Sequence, residues 1–211
     1  KKVKAIIVDR HKMPEFNDRK KLMGSVKEYG KMLDADPAID AFRKLGTAMV
    51  GDFTNKVGGL PTRNFSAGTI VEADEGPLKL GGQFIREQNL ARGGETTHAC
   101  MPGCMIKCSN IYADKDGNEM VAPLEYEAVG LVGSNCGLTD PDHVAALNNV
   151  ANDLGIDTIE IGATIGVLME AGEGAFGDFD FMANIFEEIR DGSEKGKLYA
   201  QGTARVGEHY N

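Results

Sequence analysis

Apolar residues at helical spacing dominate the second half of the chain. Asp140-Pro141 supplies a capping residue followed by proline, a common helix start, and Gly155 supplies a common stop. Between them the apolar positions recur every three or four residues and share one face: Val144, Leu147, Val150, Ala151 and Leu154. The pattern predicts a helix over 141–154. A second, more apolar helix is predicted to begin at Thr158.

The rest of the chain mixes shorter helical patterns with loops. The further predicted helices are these: from residue 17 or 18 to 31, 37–45, 47–56, 180–190 and 194–207. Residues 57–82 are too rich in glycine and proline for long regular elements, and the β-branched run 3–8 predicts one short strand. The predicted fold class is therefore mainly α: a multihelical domain with long Gly/Pro-rich loops and one short N-terminal strand.

Charge and composition narrow the range of partners. The hydrophobic share of 42% and the charged share of 26% are ordinary for a globular protein. A net charge of −9, with no basic stripe interleaved with aromatic residues, argues against a nucleic-acid partner. Apolar runs fall short of the roughly 20 residues that a membrane helix needs. No membrane partner is expected, and a cytoplasmic location is predicted.

Three of the four cysteines lie close together in the segment "HACMPGCMIKC", residues 98–108. Cys100, Cys104 and Cys108 follow one another at four-residue steps, and the Pro-Gly pair between the first two favours a loop. In a reducing compartment such a cluster is more typical of a metal or redox site than of disulfides. An iron–sulfur cluster, which takes closely spaced thiolates, is the leading interpretation.

Two other interpretations of the cysteines remain open. A zinc ion could be held if His98 or Cys136 completed four ligands, although the usual short paired knuckles of structural zinc sites are absent. The thiols could also be catalytic or simply buried, because free cysteine is a common core residue.

A wider set of segments points to one family. In chain order they are "KKVKAIIV", "GGLPTRNF", "ACMPGCMIKCSNIY", "PLEYEAVGLVGSNCGL", "NNVANDLGIDTIEIGATIGVLMEAG" and "GKLYAQGTARVGEHY". Together they resemble the tungsten-containing aldehyde:ferredoxin oxidoreductase family over nearly the whole chain. The resemblance implies that residues 1–10 are the end strand of a preceding β-rich pterin-binding domain. Residues 11–211 would be the helical middle domain, with the N- and C-terminal domains of the family missing from this sequence.

The resemblance gives the cysteines a role. In the family a cysteine triplet supplies three ligands to a [4Fe–4S] cluster, which corresponds to Cys100, Cys104 and Cys108. The family spacing is C-x2-C-x3-C, whereas this chain reads C-x3-C-x3-C, so the role of Cys100 is the least defined. The fourth family ligand belongs to a later D-x-x-G-L-C motif that these 211 residues lack. Cys136 is then expected to be a buried wall residue.

The segment "NDLGID" corresponds to the family's D-x-x-G-L-D motif, which contacts one of two pterins that chelate tungsten. The resemblance assigns this contact to Asn152, Gly155, Ile156 and Asp157. A carboxylate can accept hydrogen bonds from pterin N–H groups. Taken without the resemblance, the same residues predict a helix stop at Gly155 and an N-cap at Asp157. These structural roles are compatible with a contact to pterin.

Two carboxylates and one loop complete the set of candidate residues. Glu125 and Glu127 in "LEYE" could be solvated residues of a first helical turn. The resemblance places a glutamate from this region near the metal, where it could move a proton, and Glu125 is favoured. Arg63 and Asn64 in "PTRNF" are expected to brace a loop more than to line the approach of a substrate.

The resemblance implies an oxidoreductase that converts a small aldehyde to a carboxylate, with water as the oxygen source and ferredoxin as the electron acceptor. Its cofactors would be the [4Fe–4S] cluster and a tungsten (or molybdenum) bis-pterin. Two alternatives stay open: a tungstopterin reductase of aromatic acyl thioesters in the same family, and a zinc-stabilised or structural helical module. A homodimer is also left open. The 211 residues alone are expected to be inactive, because the bis-pterin site would need both missing domains.

Overall fold

The structure is a computed structural model that describes residues 5–12, 15–72 and 74–210. Within them the helices are Arg19–Asp34 (α1), Pro37–Leu45 (α2), Met49–Lys56 (α3), Gly82–Ala91 (α4), Tyr126–Ala128 (α5), Pro141–Leu154 (α6), Thr158–Glu170 (α7), Phe179–Asp191 (α8), Glu194–Tyr199 (α9) and Thr203–Tyr210 (α10). The strands are Glu95–His98 (β1), Ser109–Ala113 (β2) and Glu119–Val121 (β3). The prediction of a mainly α, multihelical domain is confirmed.

Aspartate caps begin the helices where the sequence predicts them. The Asp36 carboxylate accepts a hydrogen bond from the Ala38 N–H at 2.8 Å, and Asp140 accepts one from Asp142 at 2.9 Å. In both cases the proline that follows occupies the first helical position, where its missing N–H costs nothing. Asp18 caps α1 in the same way. These starts follow from local chemistry alone, which explains why the sequence predicts them well.

A small antiparallel sheet lies between α4 and α5, and the sequence analysis missed it. The strand order is β1-β2-β3, with His98 opposite Ser109 and Tyr112 opposite Val121. The turn from β2 to β3 is closed by Asp114, whose carboxylate accepts the Asn118 N–H at 2.8 Å. Because β1 pairs with β2, the whole cysteine segment becomes the connection between two paired strands.

The core is centred on α7 and the segment that follows α5. This segment continues from α5 as a π turn over Val129–Gly133 and a 3₁₀ turn over Ser134–Cys136. Gly162 of α7 lies directly against it, and a Cβ atom at Gly162 would be 2.4 Å from the Leu131 carbonyl carbon. The backbones can approach this closely only because residue 162 has no side chain.

Three polar contacts tie the sheet and the early helices to the core. Asp52 of α3 accepts the Gly82 N–H at 2.7 Å and so caps α4 from another helix. Arg92 makes a two-pronged ion pair with Asp142 of α6, with Nη1–Oδ1 at 2.6 Å and Nη2–Oδ2 at 3.0 Å. The buried Tyr112 of β2 donates its hydroxyl hydrogen to the same carboxylate at 2.7 Å.

Three predictions of secondary structure need correction. The strand over residues 3–8 is not formed in its described part, 5–8, because a strand needs a hydrogen-bonded neighbour and the described residues supply none there. The single helix over 194–207 is two helices, α9 and α10, which separate where Gly202 takes a φ of +91°. The glycine-rich region ends at Gly82 with α4, a helix that the sequence analysis did not predict.

No helix in the described part of the chain combines the length and the apolar character that crossing a membrane requires.

Candidate functional site

The cysteine triplet lies in the connection between β1 and β2, residues 99–108. Within it the Cys104 N–H donates to the Met101 carbonyl at 3.2 Å, and Gly103 has a φ of +84°. Proline at the second position and a positive-φ glycine at the third are typical of a type II turn. The predicted loop between Cys100 and Cys104 is therefore confirmed, and the turn brings these two cysteines back toward each other.

The Cys104 thiol is surrounded by groups that stabilise its thiolate form. Its sulfur accepts hydrogen bonds from the backbone N–H groups of Lys107 and Ile106, and these contacts lower the pKa of the thiol. The exposed Cys100 thiol also hydrogen-bonds to it, and the Lys107 ammonium charge acts in the same direction. Backbone donors aimed at a cysteine sulfur stabilise the thiolate, the form that binds metal.

Cys108 is half-buried and lies within range of the charge of a carboxylate. Burial raises the pKa of the Cys108 thiol, and the negative charge of Glu125 raises it further. Burial also raises the pKa of Glu125 above its ordinary value, with a smaller contribution from the charge of Glu127. A hydrogen bond with the Ser109 hydroxyl acts against this rise. The end of the cysteine loop and the candidate proton carrier therefore share one environment.

Two asparagines hydrogen-bond to the backbone directly before Glu125. The Asn110 side chain donates to the Leu124 carbonyl at 2.7 Å and accepts the Leu124 N–H at 3.0 Å. The Asn148 side chain donates to the Pro123 carbonyl at 2.7 Å. The backbone on the N-terminal side of Glu125 is thus fixed from the sheet and from α6.

A pocket of about 250 Å³ brings most of the predicted site residues together. Its lining residues are Pro123, Glu125, Glu127, Ala128, Asn148, Asn152, Asp157, Thr158 and Ile159. Both candidate glutamates and two of the four predicted pterin-contact residues are among them, although they are up to 32 positions apart in the chain. Glu125 is half-buried and Glu127 is exposed.

The other two pterin-motif residues shape the helix junction beside this pocket. Gly155 ends α6 with a φ of +70°, and the Ile156 N–H donates back to the Ala151 carbonyl at 2.8 Å. Asp157 caps α7 by accepting the Glu160 N–H at 2.9 Å. The predicted helix stop and N-cap are both confirmed. The contact of this motif with a pterin stays a prediction.

The donor atoms present fit the two cofactors that the family resemblance implies. The cysteine loop offers three sulfur donors with backbone N–H groups beside them, which suits a thiolate-bound iron–sulfur cluster. The pocket offers carboxylates and amides, which suit a ring rich in N–H groups. Among residues 5–12, 15–72 and 74–210, no three Cys, His, Asp or Glu side chains converge as a site for a single metal ion.

Cys136 belongs to the hydrophobic core, as expected for a wall residue. It is fully buried, and its thiol donates to the Leu131 and Gly162 carbonyls, both at 3.3 Å. Burial raises the pKa of the thiol far above its ordinary value. A thiol held neutral in this way is an inert packing group.

The "PTRNF" loop is braced as the sequence analysis expected. Arg63, Asn64 and Phe65 all have positive φ values, of +46°, +51° and +60°. The Arg63 N–H donates to the Ser134 carbonyl at 3.2 Å, and the Asn64 N–H donates to the Asn135 carbonyl at 2.8 Å. These bonds hold a backbone conformation that is unfavourable for residues other than glycine.

Sequence reasoning missed the residues that position the site: Ser109, Asn110 and Asn148. The available signal was the run "SNIYADKDGNEMV", in which an Asp-Gly turn separates two short β-prone segments. Reading it as a hairpin would have placed Ser109 and Asn110 on a strand directly after Cys108. The contact of Asn148 depends on tertiary packing, which no local pattern encodes.

The fold and the site define a mainly helical domain that presents a cysteine loop next to a carboxylate-lined pocket. Residues 25–211 match the family model described as "Aldehyde ferredoxin oxidoreductase, domains 2 & 3". The chain belongs to the aldehyde ferredoxin oxidoreductase family.

Curated relatives agree with this assignment. The chain is 29% identical to the tungsten-containing aldehyde ferredoxin oxidoreductases of Pyrococcus abyssi and Pyrococcus horikoshii, over 100% of its length and 36% of theirs. It is 27% identical to the "Aliphatic sulfonate oxidoreductase, WOR-like subunit" of Pyrococcus furiosus, over 49% of this chain and 19% of that protein. The chain thus spans about a third of the length of the relatives that it matches throughout.

Proposed function

We propose that this chain is part of a tungsten–pterin iron–sulfur oxidoreductase that oxidises aldehydes to carboxylic acids and passes the electrons to ferredoxin. One observation carries the proposal. Glu125 hydrogen-bonds to Ser109, the residue directly after Cys108, and its charge acts on the Cys108 thiol, while Glu125 lines the same pocket as Asn152 and Asp157. Three groups of residues with separate roles are therefore adjacent in one site. Membership of the family supports the same assignment.

Different residues would bind the cluster and the pterin. Cys100, Cys104 and Cys108 would hold three corners of the cluster, and the N–H groups donated to Cys104 would stabilise its thiolate. Asn152 and Asp157 would hydrogen-bond to one pterin. The tungsten–pterin group, when bound, supplies the two-electron oxidation.

Glu125 is the residue proposed to move protons in this reaction. An aldehyde and one water give a carboxylate, three protons and two electrons, so the site must release protons as well as electrons. A carboxylate whose pKa is raised by burial is a better base near neutral pH than an exposed one. Glu125 takes a proton from the water that attacks the aldehyde carbon. Two ferredoxins then take up one electron each.

The test uses the longest native polypeptide that contains this sequence, purified without oxygen. We expect about four irons with labile sulfide per chain, together with tungsten or molybdenum. We also expect aldehyde-dependent reduction of ferredoxin. The matched variants Cys108→Ser and Cys136→Ser separate the two kinds of cysteine. The first should lose iron, whereas the second should keep it.

Other outcomes would reject the proposal in identifiable ways. One zinc per chain without iron would indicate a zinc-stabilised module. Iron and tungsten combined with reduction of an aromatic acyl thioester, and no oxidation of any aldehyde, would indicate the alternative chemistry. Loss of iron in Cys136→Ser but not in Cys108→Ser would show that the triplet is not the cluster site.

A further inference from the structure

Helix α1 is a local exception to the acidity of the chain. It carries five basic side chains, Arg19, Lys20, Lys21, Lys27 and Lys31, and two acidic ones, Glu28 and Asp34, whereas the whole chain has a net charge of −9. None of its residues is buried. A helix that packs so little of its surface contributes little to the core, so its composition needs another explanation.

Two faces of α1 are exposed to solvent. Lys20, Lys27 and Lys31 are seven and four positions apart, so their side chains share one face of the helix. Leu22, Val26 and Tyr29 share a second face and are 37%, 53% and 61% exposed. A group of cations beside a modest apolar surface is a common composition for a transient protein–protein interface.

Helix α1 lies next to the cysteine loop. Its C-terminal half lies against the cysteine loop, because a Cβ atom at Gly30 would be 3.6 Å from the Met105 methyl carbon. Arg43 of α2 joins the two by donating to the Asp34 carboxylate at 2.8 Å and to the Met105 carbonyl at 2.9 Å. The basic helix is therefore mounted directly beside the loop that carries Cys100, Cys104 and Cys108.

We infer that α1 is the docking surface for a small acidic electron-transfer protein that exchanges electrons with the cluster held by the cysteine loop. The inference rests on the proposed function and adds the surface that the electron acceptor uses. Lysines draw in an acidic partner while the rest of the domain, which is acidic, repels it. The partner is thereby steered to the side of the molecule where the thiols lie.

Two other occupants suit a basic amphipathic helix in general: an anionic membrane surface and an acidic face of a second copy of this chain. Neither gains anything from lying beside the cysteine loop, whereas an electron carrier must come close to the cluster. The location of α1 therefore favours the electron carrier.

The experiment compares two triple variants of the holoenzyme. Lys20→Glu, Lys27→Glu and Lys31→Glu together reverse the lysine face of α1. Glutamate and lysine have similar helix propensities, so α1 is expected to stay folded. The matched control reverses three exposed lysines elsewhere: Lys56, Lys79 and Lys115. Both variants change the net charge equally.

Binding of a [4Fe–4S] ferredoxin is measured directly as a Kd at about 0.02 M and about 0.5 M salt. For the α1 variant we expect a Kd at least about tenfold weaker at low salt, with the difference largely lost at high salt. The control should change by no more than about twofold, since its three charges lie outside α1. Equal effects of the two variants, or no ferredoxin binding by the unmodified protein, would overturn the inference.

Further measurements separate this inference from the proposed function. Aldehyde-dependent reduction of a viologen dye tests the chemistry without a docked protein and should be the same in both variants. If the dye is not reduced but ferredoxin binding still depends on α1, the docking surface stands and the aldehyde chemistry falls. Loss of binding to vesicles rich in anionic lipid, or loss of a dimer, in the α1 variant alone would assign the helix to another occupant and overturn the inference.

Discussion

Glu125 is the side chain on which the proposed chemistry depends most. Its half-buried carboxyl lines the pocket and its charge acts on Cys108, whereas Glu127 lines the same pocket but is exposed. We predict that Glu125→Gln lowers kcat by about 100-fold or more, because the amide cannot accept the proton. Glu127→Gln should change kcat by less than about threefold. Steady-state kinetics of the holoenzyme over a pH series would measure both, and equal losses would contradict the assignment.

The same carboxyl should also affect stability. Burial raises the pKa of Glu125 in the folded state, so the folded protein binds more protons than the unfolded chain. The destabilisation caused by ionised Glu125 is therefore absent below its unfolded pKa and grows as the pH rises to the folded pKa. Glu125→Gln should be more stable near pH 7 by up to about 1 kcal/mol after allowance for solvent screening. Urea unfolding at pH 7 and pH 4 measures this, and a gain at pH 4 as large as at pH 7 would contradict it.

Asp142 joins the sheet to α6 through Arg92 and Tyr112. All three groups are largely shielded from water, with side-chain exposures of 14% for Arg92 and 19% for Asp142. Removing the carboxylate leaves the guanidinium and the hydroxyl without their partner. We predict that Asp142→Ala lowers the free energy of unfolding by about 2 to 4 kcal/mol, measured by urea denaturation. Asp140→Ala, which removes only a helix cap, should cost about 1 kcal/mol.

At the scale of elements, the contact between α7 and the π turn is the tightest constraint near the pocket. Gly162 leaves no room for a methyl group, because the nearest atoms belong to the Leu131 backbone and cannot rotate away. We predict that Gly162→Ala lowers the free energy of unfolding by about 1 to 3 kcal/mol, despite the higher helix propensity of alanine. Gly207→Ala in α10, where nothing lies within 4 Å, is the matched control and should be neutral or stabilising. Thermal unfolding of both variants is the measurement.

The sequence predicts those elements whose ends are chemically marked. Asp36, Asp140 and Gly155 act through local hydrogen bonds and backbone preference, so the helices that they bound were placed within a residue or two. The β hairpin was missed because its strands are three to five residues long and do not alternate cleanly between buried and exposed positions. The break at Gly202 depends on Glu160, whose carboxylate accepts the Thr203 N–H at 2.6 Å from another helix.

The candidate site was predictable in its residue types and not in its geometry. Cysteine spacing and the "NDLGID" segment identified the candidate groups. That Glu125 hydrogen-bonds to Ser109 beside Cys108, and that the amide of Asn148 holds the backbone next to Glu125, follow from the packing of the sheet against α6. Long-range contacts of this kind have no signature in a single sequence.

For the whole molecule, packing is strongly uneven. Ile165 and Leu168 of α7 are fully buried, whereas α1 buries no residue at all. We predict that amide hydrogens of α7 exchange only through global unfolding and that those of α1 exchange much faster, through local opening. Hydrogen–deuterium exchange followed by mass spectrometry would measure this. Bound ferredoxin should slow exchange in α1 selectively, and slow exchange of α1 in the free protein would contradict the prediction.

The hairpin that carries the cysteine loop has a consequence for how the protein matures. The loop is closed at its base by pairing of β1 with β2, through His98 and Ser109, and none of residues 99–108 belongs to the buried core. We therefore expect the chain to fold with the thiols free of metal, unlike small domains that fold only around their metal. If the triplet holds the proposed cluster, iron and sulfide would be added late, to a chain that is already folded, and the order of assembly would be set by the chain and not by the supply of metal.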